Sequence, residues 1–289
     1  MHERLFILAF DHRRSLMTSF FGVTGTPTAE EVAKAREAKG LIWEGLRAAV
    51  AGGGVQREQA AALVDATYGA DVLAAAKAEG IRVAVPVEAS GRPELAFEYE
   101  DWRERLAAID PAWAKVLVRY NPDGDAEMNE RQRAKLRELT EHCTDTGRDL
   151  MVELLVPPEP TQAGPAYDTE VRPGLMVRAI DELRHDGVAA DVWKIEGLER
   201  REDCERVAWA AGALCVVLGR GEDRAAVERW LRAAAGVPGF VGFAIGRSIW
   251  WDALKTRWPA GPGEVPAAIA AAYAGFARTY LDAAASAAT

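Results

Sequence analysis

The chain has 289 residues, 49% of them hydrophobic, enough for one large α/β domain with its own core. Its 35 basic against 44 acidic residues give a net charge of −9, and no basic tract stands out, so no nucleic-acid partner is expected. No apolar run approaches the ~18 residues needed to span a bilayer, so no membrane association is expected either.

MHERLFILAF is too short in its apolar part for a signal peptide and lacks a small-residue cleavage site. Cys143, Cys204 and Cys215 show no paired spacing, which points to a reduced, cytoplasmic protein.

Short β-like runs alternate with longer helical ones along the whole chain. In order, strands are expected at LFILAF (5–10), AALVD (61–65), RVAVPVE (82–88) and AKVLVRY (114–120). The second half adds DLMVELLV (149–156), DVWKIE (191–196), ALCVVLG (213–219) and FVGFAIG (240–246). The segments between them have helical periodicity, as in ERQRAKLRELTEHCTDTG, which should stop at Gly147.

Eight nearly continuous apolar strands separated by helices imply a parallel sheet covered on its outside. At this length they favour a single-domain (β/α)8 TIM barrel over an open sheet. AFDHRRS follows the first strand where a dinucleotide-binding fold would place its glycine fingerprint.

In such barrels the chemistry sits at the C-terminal ends of the strands. The first strand ends in Asp11, His12 and Arg13, and the third in Glu88. The fourth carries Lys115 and ends in Arg119, the fifth carries Glu153, and the sixth carries Lys194 and Glu196. Alternation places Lys115, Leu117 and Arg119 on one face of their strand, and Lys194 and Glu196 likewise share a face of theirs. If both lysines point inward, two cations share one low-dielectric space.

Two readings stand for Lys194. In one it snorkels out or pairs with Glu196 or Glu153. In the other, burial and the nearby Lys115 favour a neutral amine able to form a Schiff base with a ketone. Glu153 is either a structural counter-ion or a general acid/base tuned upward by burial. Asp11 reads as a loop cap or as a site residue.

The loops after the last two strands, Gly219-Arg220-Gly221 and Gly246-Arg247-Ser248, have the composition of a phosphate cradle. Glycine lets the backbone approach an anion, and arginine supplies a fork for its oxygens. A lysine nucleophile with a phosphate cradle suggests a sugar phosphate bearing a carbonyl. Of His2, His12, His142 and His185, only His12 lies at a strand end, and His142 and His185 read as solvated helix residues. A zinc-dependent site wants about three converging imidazoles, so neither a metal nor another cofactor is expected. The aromatics of SIWWDALKTRW are open to either a core or a homo-oligomer interface.

LAFDHR, KVLVRYNPDGD, ELLVPP, DVWKIEG, VLGRGED and GFAIGRSIW resemble the domain that follows the kinase in bacterial 5-dehydro-2-deoxygluconokinases. That domain belongs to myo-inositol catabolism and is similar to class I tagatose-1,6-bisphosphate aldolases. The resemblance runs from about Leu5 to Tyr273, and the kinase portion has no counterpart here.

The resemblance implies cleavage of 2-deoxy-5-keto-D-gluconate 6-phosphate to dihydroxyacetone phosphate and malonic semialdehyde. It implies that Lys194 in D-V-x-K is the Schiff-base lysine, accompanied by Lys115, Glu153, and Asp11 with Arg13. Arg13 or Arg119 would then pair with the far carboxylate. The nearest alternatives are an aldolase for tagatose bisphosphate or a sulfonated sugar phosphate, and a non-catalytic sugar-phosphate sensor.

Overall fold

In the computed structural model, which describes residues 4–258 and 261–287, eight parallel strands close on themselves in sequence order. They are β1 (Leu5–Ala9), β2 (Ala60–Leu63), β3 (Arg82–Pro86) and β4 (Trp113–Arg119). The circle continues with β5 (Asp149–Leu155), β6 (Val192–Glu196), β7 (Leu214–Leu218) and β8 (Phe240–Ile245). Pairing of Leu5 with Gly242 and of Leu8 with Ile245 joins β8 back to β1. The expected (β/α)8 barrel is therefore present, with every strand except β6 stopping one or two residues short of its expected C-terminal end. Of those last residues, Phe10, Val64, Val87 and Tyr120 still donate a backbone hydrogen bond to the neighbouring strand as the chain passes into the loops.

Nine helices cover the outside among the described residues: α1 (Ala29–Ala51), α2 (Ala66–Glu79), α3 (Trp102–Ile109), α4 (Ala126–Thr146) and α5 (Arg172–His185). They end with α6 (Arg201–Ala211), α7 (Arg224–Ala234), α8 (Arg247–Arg257) and α9 (Val265–Ser286). Local sequence sets their ends. Thr28 and Glu31 form a reciprocal capping box on α1, and Gly147 ends α4 where expected. Asp65 and Asp223 cap α2 and α7 by accepting the N–H groups of Tyr68 and Ala226.

Strand parity divides the core in two. Leu5, Ile7, Leu63, Trp113, Met151 and Val192 fill the inside of the barrel. The opposite face, with Phe6, Leu8, Val116, Trp193 and Phe243, packs against the helices. On α9, Tyr273 and Tyr280 donate to the carbonyls of Phe6 and Phe240 at 2.5 and 2.8 Å, fixing that helix across β1 and β8. The SIWWDALKTRW segment forms α8, with Ile249, Trp250 and Leu254 in the core. Among the described residues no helix is long and apolar enough to cross a membrane.

Candidate active site

The inward parity that fills the lower barrel with apolar side chains brings charged ones to its C-terminal mouth. Asp11 follows Ala9 by two residues and Glu88 follows Pro86 by two, so both extend the inward rows of their strands. With Lys115, Glu153, Lys194 and Glu196 they line a cavity of about 770 Å³. Register decides who meets whom: Pro86 pairs with Lys115, and Glu153 pairs with Lys194.

Lys115 is 1% exposed and stands among three carboxylates. Its Nζ lies 3.0 Å from Asp11 Oδ2, 2.7 Å from Glu88 Oε1 and 2.8 Å from Glu153 Oε2. Burial disfavours its charge, but the three anions outweigh burial and raise its pKa above the ordinary lysine value. Both lysines point inward as expected, yet they do not face each other as bare cations. Carboxylates compensate Lys115, and Glu153 stands between the two.

Lys194 is 3% exposed, and its Nζ donates to Glu153 Oε2 at 2.9 Å. Burial pushes the Glu153 carboxyl up, but Lys115 and Lys194 together hold it below its ordinary value. Of the two readings of Glu153, the upward tuning by burial is thus reversed by its two cations. Asp11 is likewise held well below the carboxylate range, because Lys115, Lys194 and His12 overcome its burial.

The two glycine–arginine loops meet. Glu222 N–H donates to Gly219 carbonyl at 3.0 Å, closing a turn whose central residues Arg220 and Gly221 have φ of 53° and 81°. The Arg247 guanidinium lies over Gly221 and donates to Arg220 carbonyl at 2.6 Å, while Ser248 Oγ donates to Glu222 carbonyl at 2.7 Å. A Cβ on Gly221 would fall 2.5 Å from Arg247 Cζ, so glycine serves both the turn and this contact. Gly246 precedes α8 with no side-chain cap, and Gly246 and Arg247, where that helix starts, line the cavity. A Cβ there would lie 2.4 Å from Ala9 carbonyl oxygen.

Of the arginines at the opposite side, Arg13 is buried and lines the cavity with its guanidinium already engaged. It donates to Glu88 carbonyl at 2.7 Å and stands 3.4 Å from Glu98 Oε2. Arg119 is half-buried, lines the cavity and donates to Arg92 carbonyl at 3.0 Å. Arg220 pairs with Asp168 at 3.0 Å and with Glu196 at 3.3 Å. Among the described residues no group of three His, Cys, Asp or Glu side chains is placed to hold a metal ion.

The family model described as "Uncharacterized protein conserved in bacteria (DUF2090)" matches residues 1–281. The chain belongs to the DUF2090 family. The search of curated proteins gives no match.

Among solved structures, this DUF2090 chain is similar to a Plasmodium falciparum fructose-bisphosphate aldolase at 14% identity, covering 96% and 91% of the two chains with a TM-score of 0.65. A Schiff-base-forming fructose-1,6-bisphosphate aldolase matches at 14% identity, coverage 95% and 93%, and TM-score 0.60. An archaeal fructose-1,6-bisphosphate aldolase, with its catalytic lysine bound to the carbinolamine intermediate, matches at 12% identity, coverage 96% and 94%, and TM-score 0.58. At these identities the likeness shows the shared barrel.

Several residues acquire a place only in this DUF2090 structure. Glu88, visible in sequence as a strand end, becomes a direct partner of Lys115. Lys39 of α1, fully buried, pairs with Asp65 and donates to the carbonyls of Phe10 and His12 at 2.5 and 3.2 Å. Those two bonds tie the loop carrying Asp11 to α1. His12 packs edge-on to Trp250, and its pKa is lowered to about 4, chiefly by burial with Arg247 and Lys194 adding to it against Asp11. His142 is half-buried against Trp102 rather than solvated, His185 is exposed, and His2 lies outside the described residues.

Proposed function

We propose that the chain is a class I aldolase that cleaves a ketose phosphate through a Schiff base on Lys194. The observation that carries this reading is the inward-facing Lys194 beside an ionised Glu153, in a cavity whose rim holds both glycine–arginine loops. The barrel shared with Schiff-base-forming fructose-1,6-bisphosphate aldolases supports it.

In this reading Glu153 takes the proton from the Lys194 ammonium across their 2.9 Å contact, freeing the amine. The amine adds to the substrate ketone, and loss of water gives an iminium. That cation receives the electrons of the breaking carbon–carbon bond, leaving an enamine that is protonated and hydrolysed. The phosphate lies against Gly219–Gly221, Gly246 and Arg247, which line the cavity and offer glycine backbone, a helix start and a guanidinium. The aldehyde half then extends toward β1, β3 and β4, where Arg13 and Arg119 line the cavity and Arg13 is already paired with Glu98.

The substrate we assign is 2-deoxy-5-keto-D-gluconate 6-phosphate, which gives dihydroxyacetone phosphate and malonic semialdehyde, as in myo-inositol catabolism. Arg119 would take its carboxylate, a planar anion suited to a guanidinium fork. The test is release of dihydroxyacetone phosphate from this compound, from tagatose 1,6-bisphosphate and from a sulfonated sugar phosphate. The highest kcat/KM is expected for the first. Preference for another substrate would reassign the far end of the site, and binding without release would mark a sensor.

A further inference from the structure

Four carboxylates at the strand ends reach the cavity, and three of them have their oxygens engaged or their charge secured. Asp11 and Glu153 are held as anions by the two lysines. Glu196 accepts Val156 N–H at 2.8 Å through one oxygen and faces Arg220 at 3.3 Å through the other. Glu88 differs. Its Oε1 accepts from Lys115 at 2.7 Å, while its Oε2 is buried with no hydrogen-bond partner among the described residues.

A buried carboxylate oxygen left without a partner is rare and calls for an explanation. Glu88 lines the cavity, and its backbone is pinned because its carbonyl accepts from the buried Arg13. Burial, reinforced by the nearby Asp11 charge, holds its carboxyl above the ordinary range against the pull of Lys115 and Arg13. Such a group gains and loses a proton closer to neutrality than Asp11 or Glu153 does. Its position also matters. The row Glu88, Lys115, Glu153, Lys194 runs over four successive strands, so Glu88 stands at the far end of the row from the proposed nucleophile.

We propose that Glu88 is the catalytic acid–base for the aldehyde half of the substrate. Its carboxylate takes the proton of the hydroxyl on the carbon beyond the scissile bond, and gives it back in the reverse direction. This rests on the aldolase reading. In cleavage the O–H pair becomes the second bond of the aldehyde carbonyl, and the carbon–carbon pair moves into the iminium to give the enamine on Lys194. The proton stays on Glu88, and no further reactant is needed. Glu153 remains responsible for the proton transfers at the Lys194 nitrogen.

Dihydroxyacetone phosphate separates these roles, because it has the ketone and the phosphate but no such hydroxyl-bearing carbon. In Glu88→Gln, borohydride with dihydroxyacetone phosphate should still label the protein as in the unmodified enzyme. Cleavage of 2-deoxy-5-keto-D-gluconate 6-phosphate should fall by about 10²–10⁴-fold, the usual range for removing a general acid–base. One limb of the pH profile of kcat should vanish with it.

Cleavage at the original rate would overturn the proposal, as would loss of labelling together with cleavage in a folded variant, since Glu88 would then act only by holding Lys115. If Glu88→Gln does not fold, Glu88→Ala assayed with added formate takes its place. Restored cleavage supports the proposal, and no restoration in a variant that still labels contradicts it. Absence of labelling in the unmodified enzyme would remove the aldolase reading itself, which is a distinct result.

Discussion

Lys194 Nζ stands 2.9 Å from Glu153 Oε2, the same oxygen that lies 2.8 Å from Lys115 Nζ. One carboxylate thus joins the proposed nucleophile to a permanent cation and is kept ionised by both. Glu153→Gln should lower kcat by about 10²–10⁴-fold through loss of a proton acceptor at nitrogen. The fold should persist, because Lys115 retains Asp11 and Glu88. Because Glu153 titrates below its ordinary 4.5, the acid limb it sets should fall below that pH. A kcat unchanged in the folded variant would remove Glu153 from the chemistry.

Arg247 is exposed at the rim, with its guanidinium over the Gly219–Gly221 turn. Truncation to alanine should leave folding intact and weaken phosphate binding by about 1.5–3 kcal/mol, the worth of a hydrogen bond to a charged group. Steady-state kinetics should show KM raised roughly ten- to a hundredfold. Unchanged kinetics would place the phosphate elsewhere.

Lys39 is buried between α1 and the loop after β1, paired with Asp65. Lys39→Met would strand the Asp65 charge, and breaking a buried pair this way typically costs about 3–5 kcal/mol. Urea unfolding is the measurement. Lys39→Met combined with Asp65→Asn should lose less than Lys39→Met alone, because the uncompensated charge is gone. Equal or greater loss in the double variant would show that packing, not charge, sets the effect.

How much of this was legible in sequence depends on the range of the interaction. The barrel follows from eight apolar runs with helical spacers, and two-residue parity then sends Lys115, Glu153 and Lys194 inward. Neither step needs a long-range contact. The Glu88–Lys115 pair does, because it depends on the register that sets Pro86 beside Lys115. Lys39 lies in AKAREAKG, where it reads as one more solvated helix lysine until the helix is docked. Arg13 lines the cavity but is paired with Glu98, a residue in an irregular loop that no strand-end scan reaches.

His12 gives a stability signature with a definite sign. Its folded pKa of about 4 lies below the 6.5 of an unperturbed histidine, so between those values the unfolded chain binds more protons. Its contribution is therefore complete above pH 6.5 and is lost as pH falls toward 4. A difference of one bound proton changes stability by about 1.4 kcal/mol for each pH step of one, so the slope is measurable in urea midpoints. His12→Asn should flatten it. An identical pH dependence in the variant would assign the loss to other groups.

The central claim is that Lys194 forms the covalent bond to the ketone. Borohydride added with dihydroxyacetone phosphate reduces an iminium to a stable secondary amine, and mass spectrometry of the digest locates it. The three-carbon phosphate is predicted on the peptide containing Lys194, with activity lost in proportion to labelling. Lys194→Met, which keeps the apolar stem, should fold and neither label nor cleave. Labelling at Lys115, or full cleavage activity with no labelling at all, would contradict the account.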